Sequence, residues 1–112
     1  MTYALLKILR NLEAEATPSI KTQVDRDILI MIGAAEEAGQ LLSLKQLAQL
    51  GIGPIATLRR HINKLIALGY LEKKIVPHDG RVTLYAIAKP VRKRMAHLKE
   101  KLLAAAQKLS PQ

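Results

Sequence analysis

The 112-residue sequence contains no cysteine, no tryptophan and no phenylalanine, and three tyrosines are its entire aromatic complement. Without cysteine there is no disulfide framework, no thiolate metal site and no Cys nucleophile. So few rings argue against single-strand readers, which stack unpaired bases on aromatic side chains. The longest stretch free of Asp, Glu, Lys and Arg, Gln46 to Leu58, is 13 residues and is broken by Gly51, Gly53 and Pro54. That is well short of the roughly 18 apolar residues of a membrane span. Met1 to Arg10 has no basic segment ahead of an apolar run, so no signal peptide and a cytoplasmic location are expected. With 49% apolar residues the chain is globular in composition and sized for a single domain, 1–112.

Acid is also scarce, with nine Asp and Glu against 18 Lys and Arg, a formal charge of +9. The excess is uneven. Residues 1 to 40 hold four basic side chains and six acidic ones, whereas Arg59 to Arg94 holds ten basic residues against Glu72 and Asp79 alone. Such concentration suits a polyanion, because neutralised phosphates release their condensed counterions. It also suits a plain solvated surface, so the choice rests on which elements carry the charge.

Leu5, Leu6, Ile8, Leu9, Leu12 and Ala16 recur at helical spacing, predicting a first helix from Thr2 to Ala16 that stops at Thr17-Pro18. A second, from about Thr22, turns Val24, Ile28, Met31, Ile32 and Ala35 inward. It keeps acids in its first turn, where the helix dipole favours them, and has Gly39 past its end. Ser43-Leu44-Lys45-Gln46 is a capping-box pattern opening a short helix, Leu44 to Leu50. Gly51-Ile52-Gly53-Pro54 is then a tight turn, with Ile52 to plug the angle between helices and Pro54 suited to the first position of the next one. In that fourth helix Leu58, Ile62, Leu65 and Gly69 form one stripe, while Ala56, Arg59, Arg60, Asn63 and Lys64 fall on the far side.

Tyr70 to Val76 and Val82 to Ala88 favour strands around Pro77-His78-Asp79-Gly80-Arg81, a hairpin signal. Val91, Met95, Leu98, Leu102, Ala105 and Leu109 then repeat at spacings of 4, 3, 4, 3 and 4 along a last helix. Two helices joined by a Gly-containing turn and followed by a hairpin make a helix-turn-helix with a wing. The expected fold is mainly α with a small β-hairpin: an amino-terminal helix (1–16), a helix-turn-helix core and wing (22–89), and a carboxy-terminal helix (90–109). The major groove, roughly 12 Å wide, admits one such helix.

The stretch Ser43 to Pro54, then Ala56-Thr57-Leu58-Arg59-Arg60-His61-Ile62-Asn63-Lys64-Leu65, Leu68-Gly69-Tyr70-Leu71 and the wing Asp79-Gly80-Arg81-Val82 resembles the MarR-type winged helix-turn-helix transcriptional regulators over about residues 22 to 95. The resemblance implies a reader helix in the major groove, a wing Arg at the adjacent minor groove and dimerisation through the terminal helices. Thr57 and Arg60 match the family's reader positions, and Asp79 and Arg81 its wing pair. Ile87-Ala88 and Pro90 stand where the family usually has Leu-Thr and Gly.

The expected DNA-binding residues are Ala56, Thr57, Arg59, Arg60, Asn63, Lys64, Lys73, Lys74, His78 and Arg81. Arg60 suits bidentate contact with guanine, whereas Lys64 and Lys74 suit phosphates. Asp79 reads first as a turn former, and alternatively as an orienting partner for Arg81 or Arg60. His61, His78 and His97 have no Cys, Asp or Glu at ligand spacing, so neither metal nor cofactor is expected. No catalytic motif is present, so the protein is read as a non-enzyme. The last helix, about 28 Å long at 1.5 Å per residue, offers an apolar seam with a period near that of paired helices. A homodimer is therefore expected through Leu5, Leu9, Leu12, Met95, Leu98, Leu102 and Leu109, with half-sites about 10 base pairs apart.

The leading functional expectation is a sequence-specific double-stranded DNA-binding regulator. A winged-helix module that docks an acidic protein and a replication or plasmid-maintenance DNA-binding protein are the alternatives. A membrane surface is not an expected partner, and the sequence does not specify a small-molecule effector.

Overall fold

The computed structural model describes residues 1–76 and 79–109, apart from the side chains of Asp79 and Arg81. Its elements run α1 (Thr2–Ala16), α2 (Gln23–Glu37), β1 (Leu42–Ser43), α3 (Leu44–Gln49), α4 (Ile55–Ala67), β2 (Leu71–Val76), β3 (Asp79–Ile87) and α5 (Lys89–Leu109). The chain divides into two compact units. One is Lys21–Ala88, and the other is Met1–Ile20 together with the chain from Lys89 onward.

Local chemistry sets the ends of the helices in the Lys21–Ala88 unit. Thr22 caps α2 by accepting a hydrogen bond from the Asp25 amide at 3.1 Å. At the other end Gly39 takes a φ of 86°, and the Gly39 and Gln40 amides donate back to the carbonyls of Glu36 and Ala35. Gly69 closes α4 in the same way with a φ of 84°, the Gly69 and Tyr70 amides donating to Ile66 and Leu65. Both are Schellman closures, which need a residue at ease in the left-handed region. The capping box of α3 forms as its spacing implies: the Gln46 amide donates to Ser43 Oγ at 3.2 Å and the Ser43 amide to Gln46 Oε1 at 2.9 Å. Pro54, expected inside α4, is instead its cap, with extended backbone. Its fixed φ serves that place equally, and its carbonyl accepts the Leu58 amide.

The core of this unit is built from Ile28 and Ile32 of α2, Leu47 of α3, Leu58, Ile62 and Leu65 of α4, and Leu71, Tyr85 and Ile87 of the sheet. Of the α4 stripe only Gly69 lies outside the core, since it ends the helix. Met31, expected to face inward, is more than a third exposed; α2 buries Ile28 and Ile32, one turn apart, and leaves its Ile30–Met31 side outside.

The sheet has three antiparallel strands in the order β1-β3-β2. The hairpin pairs Lys73 with Tyr85 and Lys74 with Leu84, with an irregularity between Ile75 and Val76. It is longer than expected. Pairing extends to Val76 and Asp79, so Asp79, Gly80 and Arg81 are strand rather than turn, and Pro77 and His78 lie outside the described residues. The short β1, which pairs Leu42 with Tyr85 and Ser43 with Leu84, has no counterpart in the expected elements, because two residues carry no periodicity to read.

In the other unit α1 packs on α5, and an ion pair joins Lys101 Nζ to Glu15 Oε2 at 3.4 Å. Val91 and Leu98 are buried. Among the described residues no helix is long and apolar enough to cross a membrane.

Candidate nucleic-acid interface

Helix α4 has three surfaces with different fates. Its buried stripe, Leu58, Ile62 and Leu65, packs it into the helix-turn-helix against α2 and α3. Opposite that stripe Ala56, Arg59, Arg60 and Asn63 are all exposed. Neither arginine has an ion-pair partner among the described residues.

Between these surfaces lies a shoulder carrying Thr57, His61 and Lys64, and Asp25 of α2 meets it. The Asp25 side chain is 1% exposed. Its Oδ1 lies 2.8 Å from Nδ1 of His61, and its Oδ2 accepts from Lys64 Nζ at 2.7 Å. Burial pushes the Asp25 carboxyl up. The hydrogen bonds from Lys64, His61 and Thr22, with the Lys64 charge, outweigh this and hold it below the usual carboxylate range. A buried carboxylate so satisfied is ionised, and the Lys64 ammonium is committed to it.

Lys64, expected among the phosphate contacts, therefore stands apart from Arg59, Arg60 and Asn63. Of the acids expected in the first turn of α2, only Asp25 lies there. Asp25 is a buried tertiary partner rather than only a dipole-favoured surface acid, and it is the Asp that His61 lacks at local spacing. Its partners are 36 and 39 residues away, so no local pattern announces them. The only sequence signal is three polar residues, each near an apolar stripe, on two helices predicted to pack.

On the hairpin Lys73 and Lys74 are both exposed. Lys74 lies 3.5 Å from Glu72, with both side chains about half exposed. His78 lies outside the described residues, as do the side chains of Arg81 and Asp79, so the expected wing-tip contacts and the Asp79 pairing are not placed. Among the described residues no group of three His, Cys, Asp or Glu side chains is arranged to hold a metal ion.

The residues expected in a dimer seam also separate. Leu98 is buried within the single chain, Leu5, Leu9, Leu12, Leu102 and Leu109 are partly covered, and Met95 is 39% exposed. The apolar side chains that α1 and α5 leave most open are Tyr3, Leu6 and Leu103.

No family model and no curated protein matches the sequence. Solved structures match it by shape. RV1404 from Mycobacterium tuberculosis superposes with a TM-score of 0.76 at 17% identity, covering 98% of this chain and 74% of that one. FabT of Streptococcus pneumoniae in complex with DNA gives 0.65 at 20% identity, covering 96% and 75%. A mutant MarR from E. coli complexed with operator DNA gives 0.59 at 17% identity, covering 88% and 69%. At these identities the likeness is one of fold, and it agrees with the element order found here. This chain has the MarR-type winged helix-turn-helix fold.

Proposed function

We propose that the protein binds double-stranded DNA as a homodimeric transcriptional regulator, with α4 in the major groove and the β2–β3 wing at the minor groove. The observation that carries this reading is the outer face of α4. On the second helix of a helix-turn-helix it presents Arg59, Arg60 and Asn63 to solvent, with no ion-pair partner for either arginine among the described residues. Arg60 reads bases, since a guanidinium can donate two parallel hydrogen bonds to guanine. Arg59, Lys73 and Lys74 hold phosphates, and Ala56 and Thr57, near the start of α4, fit a thymine methyl or the backbone. Two of the structures that share the fold were solved with DNA.

Two copies are proposed because one module makes too few contacts for a rare site. Tyr3, Leu6, Met95 and Leu103 of the α1–α5 unit supply exposed apolar surface for the joint. The test is titration of random-sequence duplex at low salt, followed by selection from a random pool. Binding to duplex and recovery of inverted repeats with centres about 10 base pairs apart is the expected result. Absence of duplex binding even at low salt overturns the reading and favours a protein-docking role for the basic face.

A further inference from the structure

Asp25 is the one fully buried charged residue among those described, and holding α2 to α4 does not by itself require a charge there. Apolar side chains of similar volume in such a place are often as stabilising as a buried ion pair, because taking charges out of water is costly. What an apolar residue cannot do is occupy an ammonium group.

We infer that Asp25 acts as an internal stand-in for a phosphate: it holds Lys64 and withholds that cation of α4 from the DNA backbone, which lowers the affinity for every duplex alike. The inference rests on the DNA reading above. Its physical basis is a contrast between two lysines. Lys74 is paired with Glu72 at 3.5 Å, and both groups are well exposed; water solvates Glu72 as soon as Lys74 leaves, so Lys74 exchanges freely to a phosphate. Lys64 is 44% exposed and therefore reachable, but its partner Asp25 is sealed in the core. Releasing Lys64 strands a carboxylate there with His61 as its remaining partner on α4, and a phosphate must overcome that penalty.

Withholding such a cation lowers background binding. An ammonium is a point charge that accepts any phosphate and so strengthens binding to every sequence alike. Lys64 lies one helical turn beyond Arg60 on α4, so if free it would add affinity without sequence information. Specificity is the difference between right and wrong sites, so a contribution shared by both leaves it unchanged and raises only the absolute affinity for wrong sites as well as right ones. Asp25 is thus a positioning residue: it acts on DNA affinity only through Lys64.

The test measures duplex affinity against salt for the full chain and four variants. Asp25→Asn keeps the shape and removes the charge. It is expected to bind random duplex and the selected site more tightly at low salt, by a similar factor. Its salt slope should be steeper by about 0.9, or an extra loss of about 3.5-fold between about 50 and about 200 mM. Lys64→Gln should leave the slope unchanged, whereas Lys74→Ala should flatten it by about 0.9. The double variant Asp25→Asn with Lys64→Gln should return to the wild-type slope. A merely structural role for Asp25 weakens binding without steepening the slope. If Asp25→Asn fails to fold, Lys64→Gln against Lys74→Ala still decides, because Lys64 is half exposed. A slope unchanged in Asp25→Asn, or flattened in Lys64→Gln as in Lys74→Ala, overturns the inference while leaving the DNA reading intact. Failure of the wild type to bind duplex overturns both.

Discussion

Arg60 and Lys64 stand one turn apart on the same helix with the same formal charge, and the fold gives them opposite circumstances. Arg60 lies on the outer face of α4 with no ion-pair partner among the described residues. Lys64 lies on the shoulder, 2.7 Å from a buried carboxylate of α2. The formal charge of +9 therefore overstates what α4 offers a polyanion. The binding charge of a surface is the charge left after internal pairing, and pairing to a buried acid is harder to exchange than pairing to an exposed one.

The largest expected effect removes the frame on which the contrast rests. Ile62, on the buried stripe of α4, is almost completely covered, so Ile62→Ala should cost about 2 to 5 kcal/mol in urea denaturation by leaving a cavity. A cost below about 1 kcal/mol would mean that α4 is not anchored through this stripe. Next is the open face. Arg60→Ala should reduce discrimination between good and poor duplex sites by about 1 to 3 kcal/mol. Stability should stay within about 0.5 kcal/mol, as for an exposed side chain. Unchanged discrimination would place the reader elsewhere.

The smallest effect concerns the shoulder and acid. The folded carboxyl of Asp25 lies below its unfolded value of about 3.9. Its contribution to stability is thus fully present above that pH and is lost as pH falls through the lower folded value. Wild-type stability should therefore decline more steeply below about pH 4 than that of Asp25→Asn. Parallel acid limbs in urea melts of the two proteins would show that the shoulder is not held by an ionised carboxylate.

Much of the fold is legible in the sequence because its cues are local. The Thr2–Ala16 periodicity gives the observed bounds of α1. Ser43 and Gln46 cap α3 as their spacing implies, and Gly39 and Gly69 end their helices. Errors arise where a partner in space outweighs a local preference. Asp79 to Arg81 favour a turn but pair as strand, and Met31 has inward spacing but α2 turns its Ile28–Ile32 side to the core. The exposure of Ala56, Arg59, Arg60 and Asn63 was readable from the amphipathic period of α4. The tie of His61 and Lys64 to Asp25 was not.

The sequence by itself determined the bounds of α1, the α3 capping box, the glycine closures, the presence of a hairpin and the basic character of the segment from Arg59 to Arg94, since each depends on residues within a few positions of one another. Tertiary structure alone decided that a third strand joins the sheet, that Leu98 is spent inside its own chain, and that Lys64 is held while Arg60 has no ion-pair partner among the described residues. These follow from contacts between residues far apart in the chain, and a side chain's usable charge depends on the burial of whatever it meets there.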